Sequence, residues 1–365
     1  MQRMLRLTQD VYKKLAQRLD TIPNGFPSTE NGIELKLLAK LFTPEEASLA
    51  AIMRLSREKA ENIANKVGME PVKATIVLER MAERGLIRAR GTGEKRGYAL
   101  MPWVVGIYEE QLGRLDKETA QLFEQYYQGM AHGVLDQKPS LHKIVPLEKS
   151  IPVEIQVHPY EQVTEMLNNA KSFAKRKCIC RVQKKLIGQP CQHTLENCLS
   201  FAPQEGAFDN DPEATVITRE EALELLRQAG EEGLIHSTLN VREGHSYICN
   251  CCTCCCGIMR GIAELGLKNS VATSDFYAQV SEDLCTGCET CIDRCQFKAL
   301  SMKDYVSHVD LDRCVGCGLC VATCPDGALK LVRKSEELIT VTPKNIRKWT
   351  EKRAKNRGIS LEDIL

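Results

Sequence analysis

The stretch Cys285-Thr-Gly-Cys288-Glu-Thr-Cys291-Ile-Asp-Arg-Cys295 is followed by Cys314-Val-Gly-Cys317-Gly-Leu-Cys320-Val-Ala-Thr-Cys324-Pro325. Both segments have the spacing C-x2-C-x2-C-x3-C, and each cysteine of the first recurs 29 residues later in the second. The repeat extends past the cysteines, because Gly287 corresponds to Gly316 and Ala299 to Ala328. Glycine in such short loops lets the backbone turn closely around a bound group. The repeat therefore predicts two equivalent metal sites.

The two motifs resemble the bacterial ferredoxins that carry two [4Fe–4S] clusters, over residues 280–332. In that family the fourth cysteine of each run binds the other cluster. The resemblance implies one cluster held by Cys285, Cys288, Cys291 and Cys324, and a second held by Cys314, Cys317, Cys320 and Cys295. The chain departs from the family at Gln296, where a proline is expected, as at Pro325. Zinc is the alternative, but zinc sites use separated C-x2-C pairs rather than four cysteines in one run.

The composition narrows the class of protein. A length of 365 residues predicts two or three domains, and the formal net charge of +1 gives no overall electrostatic signal for a partner. Eighteen cysteines without an apolar leader indicate metal ligation rather than disulfides. The chain has no run of about 18 apolar residues, so no membrane span is expected. We expect a cytoplasmic protein, in a reducing and anaerobic setting that suits oxygen-labile clusters.

The predicted fold class is α+β with several domains. The expected segments are a winged-helix-like domain at 1–103, a helical linker at 104–158, a cysteine-rich central α/β domain at 159–275, a ferredoxin-like 2[4Fe–4S] domain at 276–335 and a basic C-terminal tail at 336–365. A helix is expected over 106–128 in the linker, either docking the first domain or forming a dimer. A second is expected over 160–175.

Residues 34–100 read as three helices, a fourth from Pro71 to about Gly85, and a two-stranded hairpin. The second of these helices begins at the capping box Thr43-Pro-Glu-Glu46, and a second capping box, Thr218-Arg-Glu-Glu221, begins a helix at Arg219 in the central segment. The fourth helix has Val72, Ile76, Val77 and Met81 at helical spacing. This order resembles the winged-helix domains of bacterial regulators, which implies that the helix from Pro71 to Glu83 would enter DNA. That helix is nearly neutral, whereas the hairpin carries Arg88, Arg90, Lys95 and Arg96. DNA binding is therefore an alternative and not the favoured function, because a DNA-binding domain should show a clear basic surface.

Ten further cysteines lie in the central segment: Cys178, Cys180, Cys191, Cys198, Cys249, Cys251, Cys252, Cys254, Cys255 and Cys256. Six of them fall within eight residues, a density that packing does not require. Adjacent residues of an extended chain face opposite sides, so one cluster could not use all six. We predict at least one further iron–sulfur cluster ligated from both groups, 178–180 and 249–256. A zinc site using four of these cysteines and redox-active dithiols are the alternatives. The segment is similar to uncharacterised ferredoxin-like proteins of anaerobes.

Residues 333–357 carry nine basic and three acidic residues, a local charge of +6. Such a run is typical of a solvated helix face, of docking to an acidic redox partner, or of nucleic-acid binding. The chain lacks a GxGxxG fingerprint and a Walker A motif, so NAD, FAD and ATP sites are unsupported. We predict an iron–sulfur electron-transfer protein that serves an oxidoreductase system. The alternative is a redox-sensing winged-helix transcription regulator.

Overall fold

The structure is a computed structural model that describes residues 2–152, 154–155 and 157–365, with side chains from residue 10 onward. Its α-helices are α1 (Gln2–Asp20), α2 (Ile33–Leu41), α3 (Pro44–Ala50), α4 (Ala60–Val67), α5 (Pro71–Glu83), α6 (Lys117–Leu135), α7 (Val163–Leu167), α8 (Ile179–Leu186), α9 (Arg219–Glu232), α10 (Gly257–Ala263), α11 (Thr290–Arg294), α12 (Leu319–Thr323) and α13 (Ile346–Asn356). Its strands are β1 (Ile87–Arg90), β2 (Gly97–Leu100), β3 (His142–Ile144), β4 (Ser172–Lys177), β5 (Glu196–Ala202), β6 (Ala214–Ile217), β7 (Ile235–Leu239), β8 (Tyr247–Cys251), β9 (Val271–Ala272), β10 (Phe276–Val280), β11 (Leu300–Lys303), β12 (Val306–Val309) and β13 (Leu329–Arg333).

The contacts divide the chain into two compact units. The first contains Met1–Lys138, Gln183–Gln189 and Thr350–Leu365, and the second contains Pro139–Val182 and Pro190–Trp349. The domain boundaries expected from the sequence stay predictions. Among the described residues, none of the helices has the length and apolar character needed to cross a membrane.

In the first unit, local sequence signals set the helix starts. Thr43 accepts a hydrogen bond from the Glu46 backbone N–H, and the Glu46 carboxylate accepts one from the Thr43 N–H at 2.8 Å, so the predicted capping box begins α3. The helix expected over 106–128 is shifted, because the Asp116 carboxylate caps the Thr119 N–H at 2.7 Å and starts α6 at Lys117. The expectation placed this helix too early in the chain.

Helix α5 is buried on one face and exposed on the other. Its buried residues are Ala74, Val77, Leu78 and Met81, whereas Val72 and Ile76 are 65% and 62% exposed. The buried set follows the i, i+3, i+4, i+7 pattern of a helix packed on one side. Of the four residues that the sequence places at helical spacing, Val77 and Met81 are buried, whereas Val72 and Ile76 face solvent. The two-stranded hairpin β1–β2 follows α5 as predicted. The resemblance to winged-helix regulators is a prediction that these observations leave untested.

The basic C-terminal segment is not simply a solvated helix face. Arg353 of α13 is fully buried, and its guanidinium donates to the carbonyls of Pro23 and Gln137 at 2.8 Å and of Val134 at 2.5 Å. Arg357 donates to the Asp20 carboxylate at 2.9 Å. These hydrogen bonds attach the end of the chain to α1 and α6 within the first unit.

The second unit is built on a seven-stranded sheet in the order β6-β4-β5-β8-β7-β3-β9, antiparallel except between β3 and β9. Helix α9 packs on one face through a core of Val145, Val163, Leu167, Phe173, Leu199, Phe201, Ala222, Leu226 and Ile248. The helix expected over 160–175 was wrong: α7 ends at Leu167, and β4 begins at Ser172. Phe173 pairs with both Phe201 and Ile217, so pairing on both sides of β4 overrides the local helical pattern.

Candidate metal centres

The repeated cysteine motifs lie in two similar halves. Helices α11 and α12 each contain the third cysteine of a run, Cys291 and Cys320. Strand β10 pairs with β13, and β11 pairs with β12. The halves share an apolar core in which cysteines take part: Ala278, Cys291, Leu300, Cys320 and Leu329. The internal repeat of the sequence therefore appears as a repeat of loop, short helix and strand.

Two equivalent glycines permit the tight loops. Gly287 and Gly316 have φ values of 72° and 70°, a left-handed conformation that side chains with a Cβ disfavour. A Cβ on Gly316 would lie 2.1 Å from the Phe276 carbonyl oxygen. Glycine is thus required by conformation at both positions and also by close approach at Gly316.

Two cavities lie beside these loops. The first, of about 360 Å³, is lined by Cys285, Cys288, Cys291 and Cys324. The second, of about 380 Å³, is lined by Cys295, Cys314, Cys317 and Cys320. Each cavity thus receives three cysteines from one run and the fourth from the other run. This grouping coincides with the two ligand sets that the ferredoxin resemblance implies.

The surroundings of these thiols suit metal-bound sulfur. The backbone N–H of Ser307 donates to Cys285 Sγ at 3.4 Å, and that of Ala299 donates to Cys295 Sγ at 3.3 Å. Such N–H···S bonds stabilise anionic sulfur and tune iron–sulfur sites. Burial raises the pKa of Cys317 to about 12 and also raises the pKa of Cys320. A bound cation would supply the charge that keeps these buried sulfurs deprotonated, and binding would release protons.

Residues 278–331 match the family model of the 4Fe–4S dicluster domain. This stretch is a ferredoxin-like iron–sulfur domain. No curated protein matched the chain. The matched residues lie within the second unit and contain eight of the eighteen cysteines. The other ten cysteines lie in the central segment, outside the match.

Four central cysteines form one compact group. The sulfur atoms of Cys191, Cys252, Cys254 and Cys255 all lie within 4.8 Å of one another. Three of them come from the turn after β8, which is closed by a hydrogen bond from the Cys256 N–H to the Cys252 carbonyl at 3.1 Å. Cys191 comes from the loop after α8. Cys252 and Cys255 also pack against Ala229 and Leu234.

The other six central cysteines form a second group, in which neighbouring thiols lie close enough to shift one another's pKa. Interaction with Cys180 and Cys198 lowers the pKa of Cys178 well below its usual value. Interaction with Cys249 and Cys256 lowers the pKa of Cys251 to about 6. These pairwise interactions close into a ring in the order Cys178, Cys180, Cys256, Cys251, Cys249, Cys198.

Strand alternation explains this second group. On β5 and β8, Leu199 and Ile248 are paired and belong to the core beneath α9. The flanking residues Cys198, Cys249 and Cys251 therefore project from the opposite face of the sheet. Cys178 precedes α8 and Cys256 precedes α10, so the remaining thiols come from two helix starts. Cysteines from both groups of the sequence are brought together, although as two sets and not one; their role as ligands stays a prediction.

A buried polar network lies between the two thiol groups. Arg181 is 2% exposed and donates to Asn197 Oδ1 at 2.6 Å and to the Asn250 carbonyl at 2.9 Å. Burial lowers the pKa of Arg181, but attraction to the sulfurs of Cys178 and Cys252 outweighs this effect. The net result is a pKa above the usual value. The guanidinium thus places a permanent positive charge beside sulfur from both groups.

The central histidines act as hydrogen-bonding residues in this structure. His236 Nδ1 lies 2.6 Å from Asn250 Oδ1, and burial lowers the pKa of His236 to about 4, so the ring is neutral near pH 7. His193 contacts Glu232 at 3.0 Å, and His245 contacts Thr238 at 3.3 Å. Asn197 Nδ2, next to Cys198, is buried without a hydrogen-bond partner among the described residues. It is a donor that a sulfide-containing group could use.

The dicluster domain and the central sheet are joined at Gln296. Its Oε1 accepts a hydrogen bond from the Thr253 backbone N–H at 2.8 Å, and its Nε2 donates to the Gly233 carbonyl. Neighbouring Arg294 donates to the Gly230 carbonyl at 2.7 Å. Sequence reasoning noted Gln296 only as a departure from the ferredoxin pattern, and that departure was the signal that could have revealed this contact. Arg181, next to Cys180, also went unnoticed as a charge partner.

Proposed function

We propose that this protein is an iron–sulfur electron-transfer protein that serves an oxidoreductase system. Single electrons would pass between the two [4Fe–4S] clusters of the dicluster domain and a further cluster on the central sheet. The proposed ligands in the dicluster domain are Cys285, Cys288, Cys291 and Cys324 for one cluster and Cys295, Cys314, Cys317 and Cys320 for the other. The dicluster match and the two cysteine-lined cavities support this assignment.

The observation that carries the proposal is the Gln296 bridge. Gln296 directly follows Cys295, a proposed cluster ligand, and it binds the backbone of Thr253 at 2.8 Å, between Cys252 and Cys254. One hydrogen bond therefore joins the residue after a proposed cluster ligand to a residue only two positions beyond Cys251, a member of the six-thiol group. If the ferredoxin domain exchanged electrons only with external partners, the residue next to one of its cluster ligands would not need to contact a second cysteine-rich loop.

The proposed central cluster uses the six-thiol group. Its thiols come from two strands and two helix starts and lie on the face of the sheet opposite the apolar core. Iron–sulfur clusters bind several cysteine sulfurs at different irons and carry net negative charge. The Arg181 guanidinium would offset part of this charge, which favours the reduced form. The domains expected from the sequence, including a central domain at 159–275, form part of this proposal.

The test follows electrons inside the full-length, anaerobically purified chain. Flash photoreduction should reduce the dicluster domain first, followed by a slower visible absorbance phase as electrons redistribute to the central site. Gln296→Ala removes the hydrogen bonds of Gln296 with Thr253 and with the Gly233 carbonyl, at about 1 kcal/mol each, and leaves every cysteine in place. We expect this variant to keep its iron content and to show a slower redistribution phase.

Pro325→Ala is the matched control, because Pro325 follows Cys324 at the equivalent position of the repeat and is exposed. It should leave the redistribution phase unchanged. A wild-type chain without that phase, or a Gln296→Ala variant with the wild-type rate, would contradict intramolecular transfer. Spin quantitation by EPR during dithionite reduction would show independently whether the proposed central cluster accepts electrons.

An external partner is also part of the proposal. Five basic residues of the C-terminal segment are exposed: Lys344, Arg347, Lys348, Lys352 and Lys355. A run of exposed cations along the chain favours an acidic redox partner, because opposite charges accelerate encounter at low ionic strength. Electron exchange with such a partner should slow as salt increases.

A redox-sensing regulator is the second candidate. It is favoured by the exposed cations Arg88, Arg90 and Lys95 on the β1–β2 hairpin. Against it, Arg96 is paired with Glu79, with Nε 2.8 Å from the carboxylate, and α5 exposes apolar Val72 and Ile76. A DNA footprint that changes with cluster oxidation would favour the regulator over electron transfer.

A further inference from the structure

The four-thiol group has the dimensions of a site for one ion. Around a tetrahedral Zn²⁺ with bonds of about 2.3 Å, neighbouring sulfurs lie about 3.8 Å apart. In the structure, Cys254 Sγ and Cys255 Sγ are 3.7 Å apart, and all four sulfurs lie within 4.8 Å of one another. Even a regular tetrahedron with 4.8 Å edges has its centre only about 2.9 Å from each corner. That space holds one ion, and a four-iron cube does not fit.

The local backbone explains why these four converge. Strand β8 ends at Cys251, and the next residues turn back on themselves, so Cys252, Cys254 and Cys255 share one side of a turn. Cys252 is 1% exposed and Cys255 is 4% exposed, whereas Cys254 lies at the surface. The group of six thiols begins immediately on either side of this turn, with Cys251 and Cys256.

The chemistry of the donors defines the class of ion. Four thiolates in a tetrahedron select a thiophilic transition-metal ion, zinc or iron, and disfavour magnesium or calcium. A divalent ion with four thiolates has a net charge of −2. The buried Arg181 guanidinium, which donates to the Asn250 carbonyl at 2.9 Å and lies near Cys252, would offset part of it. Two groups of thiols so close together would otherwise be exposed to oxidation in their free form.

We propose that Cys191, Cys252, Cys254 and Cys255 bind a single tetrahedral zinc or iron ion, separate from every iron–sulfur cluster of the chain. The site goes beyond the proposed electron transfer and does not depend on it. The ion would fix the turn that contacts Gln296 and would tie the loop after α8 to the end of β8. Cys252 lies 61 positions after Cys191, so the ion would close a long loop and couple folding to metal binding.

The test is a metal and sulfide inventory of the full-length chain, purified anaerobically. Cys254→Ser changes the exposed member of the four-thiol group, and Cys251→Ser is the matched control in the six-thiol group. We expect Cys254→Ser to lose one metal ion per chain and no inorganic sulfide. Cys251→Ser should lose several irons together with sulfide and keep the single ion.

The identity of the ion follows from the same samples. Zinc appears as one equivalent per chain, whereas iron appears as one equivalent in excess of the clusters, with the EPR signal of isolated high-spin ferric iron after mild oxidation. Replacement of the ion by Co²⁺ should give the visible bands of tetrahedral cobalt bound to thiolate in the wild type and weaker bands in Cys254→Ser.

Three results would overturn the proposal. They are loss of several irons with sulfide from Cys254→Ser, absence of both zinc and excess iron in the wild type, and absence of the cobalt bands. Unchanged EPR signals from the dicluster domain show that a variant is folded in that part of the second unit. The electron-transfer proposal is tested separately by Gln296→Ala, so either proposal can fail alone.

Discussion

A buried charged triad in the second unit supplies a quantitative test of the structure. Lys143 on β3 is 2% exposed, and its Nζ lies 3.0 Å from Asp275 and 3.1 Å from Glu161, which are 2% and 1% exposed. Asp275 immediately precedes β10, the first strand of the dicluster domain. The triad therefore links the central sheet to that domain with one positive charge for two carboxyl groups.

Replacing Lys143 by Met removes the only cation that these contacts provide to the triad. Loss of one partner of a buried ion pair typically costs about 3–5 kcal/mol, because it leaves charge without compensation. For a unit of roughly 200 residues, the melting temperature falls by about 2–4 °C for each kcal/mol lost from the free energy of unfolding. We therefore expect the melting temperature of Lys143→Met to fall by roughly 6–20 °C.

Glu161→Gln should behave differently. Glu161 Oε1 accepts hydrogen bonds from Lys143 and from the Asp275 backbone N–H at 2.8 Å, and the Oε1 of glutamine can accept both. Burial raises the pKa of Glu161 above its usual value, so the folded state holds this proton more tightly than the unfolded state. As pH rises from the unfolded pKa of about 4.5 through the folded pKa, the wild type loses stability. Glutamine does not titrate, so the variant should gain stability relative to the wild type over that window.

The assay is thermal unfolding of both variants under anaerobic conditions between pH 5 and 8, followed by circular dichroism and cluster absorbance. The expected result is a large loss for Lys143→Met and little loss, or a gain, for Glu161→Gln at pH 7. Equal losses in the two variants would refute the argument from uncompensated buried charge. The argument would also be refuted if the stability of Glu161→Gln relative to the wild type did not increase with pH.

Three further predictions concern separate parts of the chain. Cys320→Ser should cost about four irons and one cluster EPR signal, while Cys324→Ser should remove the other signal. Iron, sulfide and EPR measurements check this. Loss of the same signal in both variants would contradict the ligand sets. Arg353→Met should destabilise the first unit by about 3 kcal/mol or more without changing iron content, because it leaves buried carbonyls without a hydrogen-bond donor. Urea unfolding measures this loss, with Lys352→Met, at an exposed position, as the control. For Glu46, burial raises the pKa, but hydrogen bonds from the Thr43 N–H and Arg84 outweigh it and lower the pKa overall. Its stabilising contribution is therefore present above about pH 4.5 and is lost as pH falls through the lowered value, and urea unfolding of Glu46→Gln should show a shallower loss at acid pH.

Sequence signals that act over a few residues gave reliable predictions. The capping boxes at Thr43 and Thr218 and the β1–β2 hairpin appear as predicted, because cap and turn residues act on the backbone next to them. Predictions that depended on packing were less successful. The segment from Tyr160 to Lys175 forms a short helix and a strand, since the two neighbours of β4 decide its conformation. The buried face of α5 likewise depends on what it packs against.

The sequence by itself determined the iron–sulfur character of residues 278–331, because three of the four cysteines in each set lie within one short loop and their spacing encodes its shape. Only the tertiary structure decided how the other ten cysteines divide. The run from Cys249 to Cys256 contributes to two groups, since strand alternation governs its first residues and a turn governs the next. Their partners, Cys178, Cys180, Cys191 and Cys198, lie about 50–80 residues earlier in the chain and are brought near by the pairing of β4, β5 and β8. The role of Gln296 has the same origin, because a contact between distant loops leaves no local pattern.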